Sequence, residues 1–257
     1  MSKPKLTKEY LDKLYKQYNR INSAEDPAWN ILVQNEKLDK EILAFISAIY
    51  AFGSVKQIIN SQLKIFAVLS PSAYQRILDR DYLLYIEKNF EVKHRFLFHK
   101  EFISLLKTLN LIYTKFGSIK KLFLLNYNPQ DKNLKNAISH FSKNLRDLIK
   151  GQNLSSRKIK FLFPSPEDRS PCKRINLFLR WMVRKDNIDF GLWNEIKTSQ
   201  LIIPLDVHIY NVARKYQLTK LKSPSWKMAE EITESLKKFD PVDPVKYDFV
   251  LSHLKIK

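Results

Sequence analysis

Glycine is scarce in this chain. Only Gly53, Gly117, Gly151 and Gly191 occur among 257 residues, no two closer than 34 positions. Loops that cradle phosphates with clustered glycines, the dinucleotide fingerprint and the P-loop, are thereby excluded. Cysteine is scarcer still. Cys172, the single one, permits no internal disulfide, no cysteine-based zinc site and no self-contained iron–sulfur cluster. The histidines, His94, His99, His140, His208 and His253, form no HExxH or HxH array, so no metal or organic cofactor is expected. No apolar run approaches the ~18 residues a spanning helix needs, and the opening MSKPKLTKEY lacks an apolar signal core. These absences predict a protein of the cytoplasm, a reducing compartment, with no membrane partner.

Apolar residues make up 44% of the chain, enough to bury a core. The length suits one substantial domain or two closely packed lobes. Lys and Arg number 45 against 26 Asp and Glu, a net charge of +19 with a pI near 9.8. The excess is concentrated. Residues 141–185 carry Lys143, Arg146, Lys150, Arg157, Lys158, Lys160, Arg169, Lys173, Arg174, Arg180, Arg184 and Lys185 against Asp147, Glu167 and Asp168. Nearly half the net charge therefore sits in under a fifth of the chain, a distribution that points to a polyanion, most simply nucleic acid.

Helical periodicity recurs and strand signals are few, so the fold class expected is all-α. Leu38, Ile42, Phe45, Ile46 and Ile49 repeat at three- and four-residue spacing. Gly53 then stops the helix and Ser54 can cap the next. The same punctuation returns at Phe116-Gly117-Ser118, and apolar stripes run through 99–114 and 131–149. Residues 151–171, with three prolines, read as a loop or hinge between helical lobes. Ser170-Pro171 reads as an N-cap followed by proline at the first helical position. The helix beyond it sets Ile175, Phe178, Leu179 and Met182 on one side and Lys173, Asn176, Arg180 and Arg184 on the other. That second face fits either contact with a phosphate backbone or plain solvation.

Lys173 falls in the first turn of this helix, where exposed amide groups and the macrodipole disfavour an ammonium, and Arg169, Arg174 and Arg180 push the same way. A lysine kept near neutrality is what imine-forming nucleophilic catalysis requires. Further on, Ile202-Ile203-Pro204-Leu205 leads to Asp206, which the pattern makes the N-cap of a helix burying Leu205, Ile209, Val212 and Tyr216. Most aspartates so placed only cap. A carboxylate fixed at a helix start can also face a cationic transition state. His208, one turn in, reads as a hydrogen-bonded, partly buried histidine.

At these residues a resemblance emerges. Pro204-Leu205-Asp206-Val207-His208, followed by Ile209, Val212, Ala213 and Arg214, resembles the catalytic-aspartate motif of the helix-hairpin-helix DNA glycosylase superfamily. Lys173-Arg174-Ile175-Asn176-Leu177-Phe178 resembles the helix that carries the Schiff-base lysine in its bifunctional members. The 33-residue interval from Lys173 to Asp206 is similar to the archaeal 8-oxoguanine glycosylase branch. The runs Ser170 to Arg174, Trp181 to Lys185 and Asp243 to Phe249 look like a bacterial family of unassigned function placed near that branch. The likeness is sharp over about 165–255 and weaker over 38–125.

The resemblance implies a two-lobed glycosylase-like fold, with one lobe over about 40–150 and the other over about 1–39 plus 151–257. It implies a base-excision enzyme with β-elimination lyase activity, a monomer acting on damaged double-stranded DNA near the nucleoid, with oxidised purines such as 8-oxoguanine as substrate. Lys173 would be the nucleophile and Asp206 its electrostatic partner. Asp248, Tyr247, Ala51 and Leu177 would line the base pocket, with Phe249 a further aromatic better read as core. Arg169, Arg174, Arg180, Arg184 and His208 would contact DNA. Two departures stand out: Pro166-Glu167-Asp168-Arg169-Ser170-Pro171 replaces the glycine-rich hairpin, so phosphate binding would fall to Arg169 and the helix start after it. Ala51 stands where the archaeal branch has a base-reading glutamine. A non-catalytic nucleic-acid-binding protein and a basic helical adaptor are the rival readings.

Overall fold

The computed structural model describes residues 6–20 and 26–254. Among them every extended element is a helix, and the only β pairings are two isolated bridges, His94 with Leu97 and Lys185 with Phe190. In chain order, α1 (Lys8–Tyr18) and the single turn α2 (Trp29–Leu32) precede α3 (Lys37–Ile49) and α4 (Val55–Leu69). The short α5 (Ala73–Leu78) and α6 (Arg80–Asn89) are followed by the longest helix, α7 (His99–Phe116). Then come α8 (Ile119–Leu124), α9 (Lys135–Leu148), α10 (Ser156–Leu162) and α11 (Lys173–Val183). The C-terminal part holds α12 (Val207–Lys215), α13 (Trp226–Lys237) and α14 (Asp248–His253).

The chain divides into two compact units. The first takes Met1–Ala24, Asn128–Asn136 and Ser165–Lys257; the second takes Glu25–Tyr127 and Ala137–Pro164. The lobes expected from the sequence are thus corrected at three places. Residues 25–39 and the 151–164 stretch belong with the second unit, and 128–136 returns to the first. Gln200 explains that return: its side-chain amide donates to the Asn128 and Asp131 carbonyls, and its own carbonyl accepts from Leu134 N at 3.2 Å.

In the second unit the predicted stripes are the core. Ile42, Phe45, Ile46 and Ile49 of α3, Phe102, Leu105, Leu109 and Ile112 of α7, and Phe141 of α9 are all buried. Ser54 caps α4 by a reciprocal pair with Gln57. Gly117 closes α7 at φ 81, a left-handed conformation that a Cβ disfavours. Two buried acids of α3 complete the unit. Asp39 accepts from Tyr74 N at 2.7 Å, and Glu41 accepts from Tyr113 Oη and Ile119 N at 2.6 and 2.9 Å. Each supplies a capping acceptor to the start of another helix. The 151–171 segment, read as loop or hinge, contains a full helix, α10, because Ser155 caps it through Lys158 N.

Candidate active site

Within the first unit, α11 begins two residues later than the sequence suggested. Ser170 Oγ accepts from Cys172 N at 3.1 Å, and Asn176 Nδ2 donates back to the Pro171 carbonyl at 3.1 Å. Cys172, buried and left-handed at φ 49, is the N-cap, so Lys173 rather than Pro171 is the first helical residue. From there α11 is enclosed almost all round. Only Lys173 and Leu177 of its eleven residues escape full burial. Their spacing of four puts them on one edge, the amine and an apolar side chain a turn apart.

That pattern overturns the expected cationic face. Arg174, Arg180 and Arg184 are buried, not presented to a phosphate backbone. Burial alone pulls the Arg174 guanidinium down to about 10. Arg180 binds Asp189 and Asp248; Arg184 binds Asp186, Asp189 and Asp243. Tyr15 Oη adds a bond to Asp186 at 2.8 Å. The reason is physical: charged groups out of water must be paired and hydrogen-bonded, and the acids that pair these arginines lie 2 to 68 positions away. Burial pushes Asp189 up to about 6, against the pull of both arginines.

Asp206 is where the sequence put it. Leu201 to Leu205 run buried up to it, anchored by Ile203 N on Thr233 Oγ1 at 3.1 Å. Asp206 Oδ1 accepts from Ile209 N at 2.9 Å and caps α12. Its second oxygen, Oδ2, lies 3.7 Å from Lys173 Nζ. The lysine side chain is 29% exposed and the aspartate 38%, so the pair is open to solvent and to a ligand. Of the helix it starts, Ile209 and Val212 are buried as expected, while Tyr216 is half-buried.

The remaining candidates divide. Asp248 opens α14, which packs against α12, but its carboxylate is spent on Arg180 and buried. It is therefore a buried partner of Arg180 and not a side chain offered to a base. Burial raises its pKa, with Asp206 adding to the rise and Arg180 and Lys173 opposing it. Tyr247 is also corrected. Its ring is fully buried, edge-on to Phe239, and its hydroxyl donates to Asp12 Oδ1 at 2.7 Å. Phe249 is buried, as expected. Ala51 is buried just beyond α3 and belongs to the second unit. His208 is half-buried, but its Nε2 is enclosed without a hydrogen-bond partner, contrary to expectation.

Arg169 alone of the expected phosphate arginines is exposed. It sits left-handed at φ 59 after the turn Pro166–Asp168. The residues that sequence reasoning missed are the acids of the buried network, Asp186, Asp189 and Asp243. Charged residues far apart in a chain give no signal that they will meet. Among the described residues no group of three His, Cys, Asp or Glu side chains lies close enough to hold a metal ion, and no helix is long and apolar enough to cross a membrane.

Comparison with known proteins gives one match, to a family model described as "Protein of unknown function (DUF2400)", over residues 26–257. No curated protein and no solved structure matches the chain.

Proposed function

The chain belongs to the DUF2400 family, and from the geometry of its site we propose that it is a DNA base-excision glycosylase with lyase activity. The observation that carries the reading is the pairing of Lys173 Nζ with Asp206 Oδ2 at 3.7 Å, on an accessible edge of an otherwise enclosed helix. Asp206 holds a fixed position because its other oxygen is tied to α12. The separation is short enough for proton exchange through a small movement and long enough to admit a reacting centre nearby.

In the proposed reaction Asp206 takes a proton from the lysine ammonium, and the neutral amine attacks C1′ of a damaged nucleoside. As the C1′–N bond breaks, the proton held by Asp206 passes to the departing base, and the carboxylate so regenerated faces the cationic charge that develops on the sugar. The sugar ring opens to an imine on Lys173. Loss of a C2′ proton then expels the 3′ phosphate, and water releases the lysine. The substrate is damaged double-stranded DNA whose lesion base is turned out of the stack. Oxidised purines such as 8-oxoguanine are the lesion class the motif resemblance favours. Leu177, one turn along the same edge, would pack against the extruded nucleotide, and Arg169, which is exposed, would meet phosphate.

Borohydride trapping tests the reading. With duplexes bearing oxidised, deaminated or abasic sites, a covalent adduct is expected that disappears in Lys173→Gln. No adduct on any of them overturns it.

A further inference from the structure

The turn between α6 and α7, in the second unit, holds two phenylalanine rings in water. Phe96 is 44% exposed and Phe98 47%. The turn is built rather than loose. His94 and Leu97 exchange backbone hydrogen bonds at 2.8 and 2.9 Å, with Arg95 left-handed at φ 54 between them. The His94 ring, buried, has its nitrogens 2.8 Å from Ser61 Oγ and 2.8 Å from the Phe52 carbonyl. Phe98 N donates to Glu101 at 2.7 Å, and Lys158 Nζ donates to the Phe96 carbonyl. Phe96 stacks on Phe52 at 5.0 Å between centroids and meets Phe161 edge-on at 4.9 Å. Its conformation is therefore set before any ligand arrives.

Cations surround these rings. Lys158 Nζ and Lys93 Nζ lie 5.2 and 5.8 Å from the Phe98 centroid, and Arg95 Cζ lies 5.9 Å from that of Phe96. Lys158 is paired with Glu101 at 3.2 Å. Lys93 and Arg95 have no carboxylate within ion-pair reach among the described residues. The surface thus combines two half-exposed aromatic rings, Phe96 held in place by Phe52 and Phe161, with positive charge from Lys93 and Arg95. An acidic protein would satisfy the charge and leave the rings idle. Duplex DNA keeps its base faces stacked inside. A single strand offers both phosphates and free base faces in one repeat.

We propose that this 93–98 knuckle is a stacking site for unpaired nucleobases, and that its partner is a single-stranded nucleic-acid segment. Its residues belong to a different unit from Lys173 and Asp206, so the two readings stand or fall separately.

Fluorescence anisotropy with a labelled thymidine homopolymer is the test, with heparin as the polyanion control. The variant Phe96→Leu/Phe98→Leu keeps apolar bulk and removes the rings. It is expected to bind the strand tenfold to a hundredfold more weakly with heparin binding unchanged, as base–aromatic stacking predicts. Lys93→Ala/Arg95→Ala is expected to weaken both ligands and flatten the salt dependence. Equal strand affinity in the leucine variant overturns the proposal, as does heparin binding to the parent as tightly as the strand. Ultraviolet crosslinking of a bromouridine strand to the unaltered protein gives a readout free of folding effects. Adducts should map to residues 93–98, and adducts confined elsewhere overturn the assignment.

Discussion

Asp206 divides its carboxylate between two partners: Oδ1 accepts from Ile209 N at 2.9 Å, and Oδ2 faces Lys173 Nζ at 3.7 Å. One oxygen is structural and the other is available for chemistry, so the two roles separate by substitution. Asparagine caps helices about as well as aspartate but carries no charge. Asp206→Asn should therefore keep the free energy of unfolding within about 0.5 kcal/mol of the parent and lower base excision by ~100-fold or more. Asp206→Ala should cost about 1 kcal/mol as well, because the cap is lost. Urea unfolding beside single-turnover excision reads both effects. Equal excision by the asparagine variant would make Asp206 a cap and nothing more.

The buried charges around Arg180 predict an asymmetry. Arg180 compensates two carboxylates, Asp189 and Asp248, whereas Asp248 serves one arginine that keeps another partner. Removing Arg180 leaves more uncompensated charge than removing Asp248. Arg180→Ala should cost about 3–5 kcal/mol and Asp248→Ala distinctly less. Burial already raises the pKa of Asp248, and loss of the guanidinium raises it further. A folded-state pKa above the unfolded one means the native state binds the extra proton, so Arg180→Ala should recover part of its stability as pH falls from 7 towards 5. Denaturant midpoints at the two pH values check the sign.

Asp12 titrates in the opposite direction. Burial pushes it up, but the Tyr247 hydroxyl, Lys8 and Lys246 outweigh that and hold it at about 2. The unfolded chain takes up a proton near the ordinary carboxylate value of about 4. The stabilisation is thus present above about pH 4 and is lost as pH falls towards 2. Asp12 is partly exposed, so about 1 kcal/mol is the expected size after screening. Asp12→Asn should be less stable than the parent at pH 6, with the difference shrinking at pH 2.5 to 3. A constant difference across that range would mean the charge contributes nothing.

Local rules carried much of this fold into view. The stripe through Ile42, Phe45, Ile46 and Ile49, the caps Ser54 and Asp206, and the stop at Gly117 each depend on neighbours within four residues, and each appears in the structure. The Lys173–Asp206 pair was legible through motif likeness, not through periodicity. Burial of the arginines was not legible, because it depends on acids supplied by distant segments. Arg180 and Arg184 looked like a wetted face only while Asp189, Asp243 and Asp248 were out of sight. The same holds for Gln200, whose side chain draws residues 128–136 into the first unit.

Leu177 offers the cleanest separation of function from stability. It shares with Lys173 the only incompletely buried edge of α11, while Phe178, its neighbour, is fully enclosed. A carboxylate at 177 meets solvent rather than core, so Leu177→Glu should destabilise the protein by about 1 kcal/mol or less. It places negative charge one turn from Lys173, in the path that a phosphate backbone would take in the proposed docking. Borohydride trapping on an abasic duplex should then fall ~10-fold or more, and raised salt should narrow the gap by screening the added charge. Phe178→Glu buries an unpaired carboxylate and should not fold. Full trapping by Leu177→Glu would mean that DNA does not approach along this edge, and the proposed docking of the nucleotide beside Lys173 would have to be abandoned.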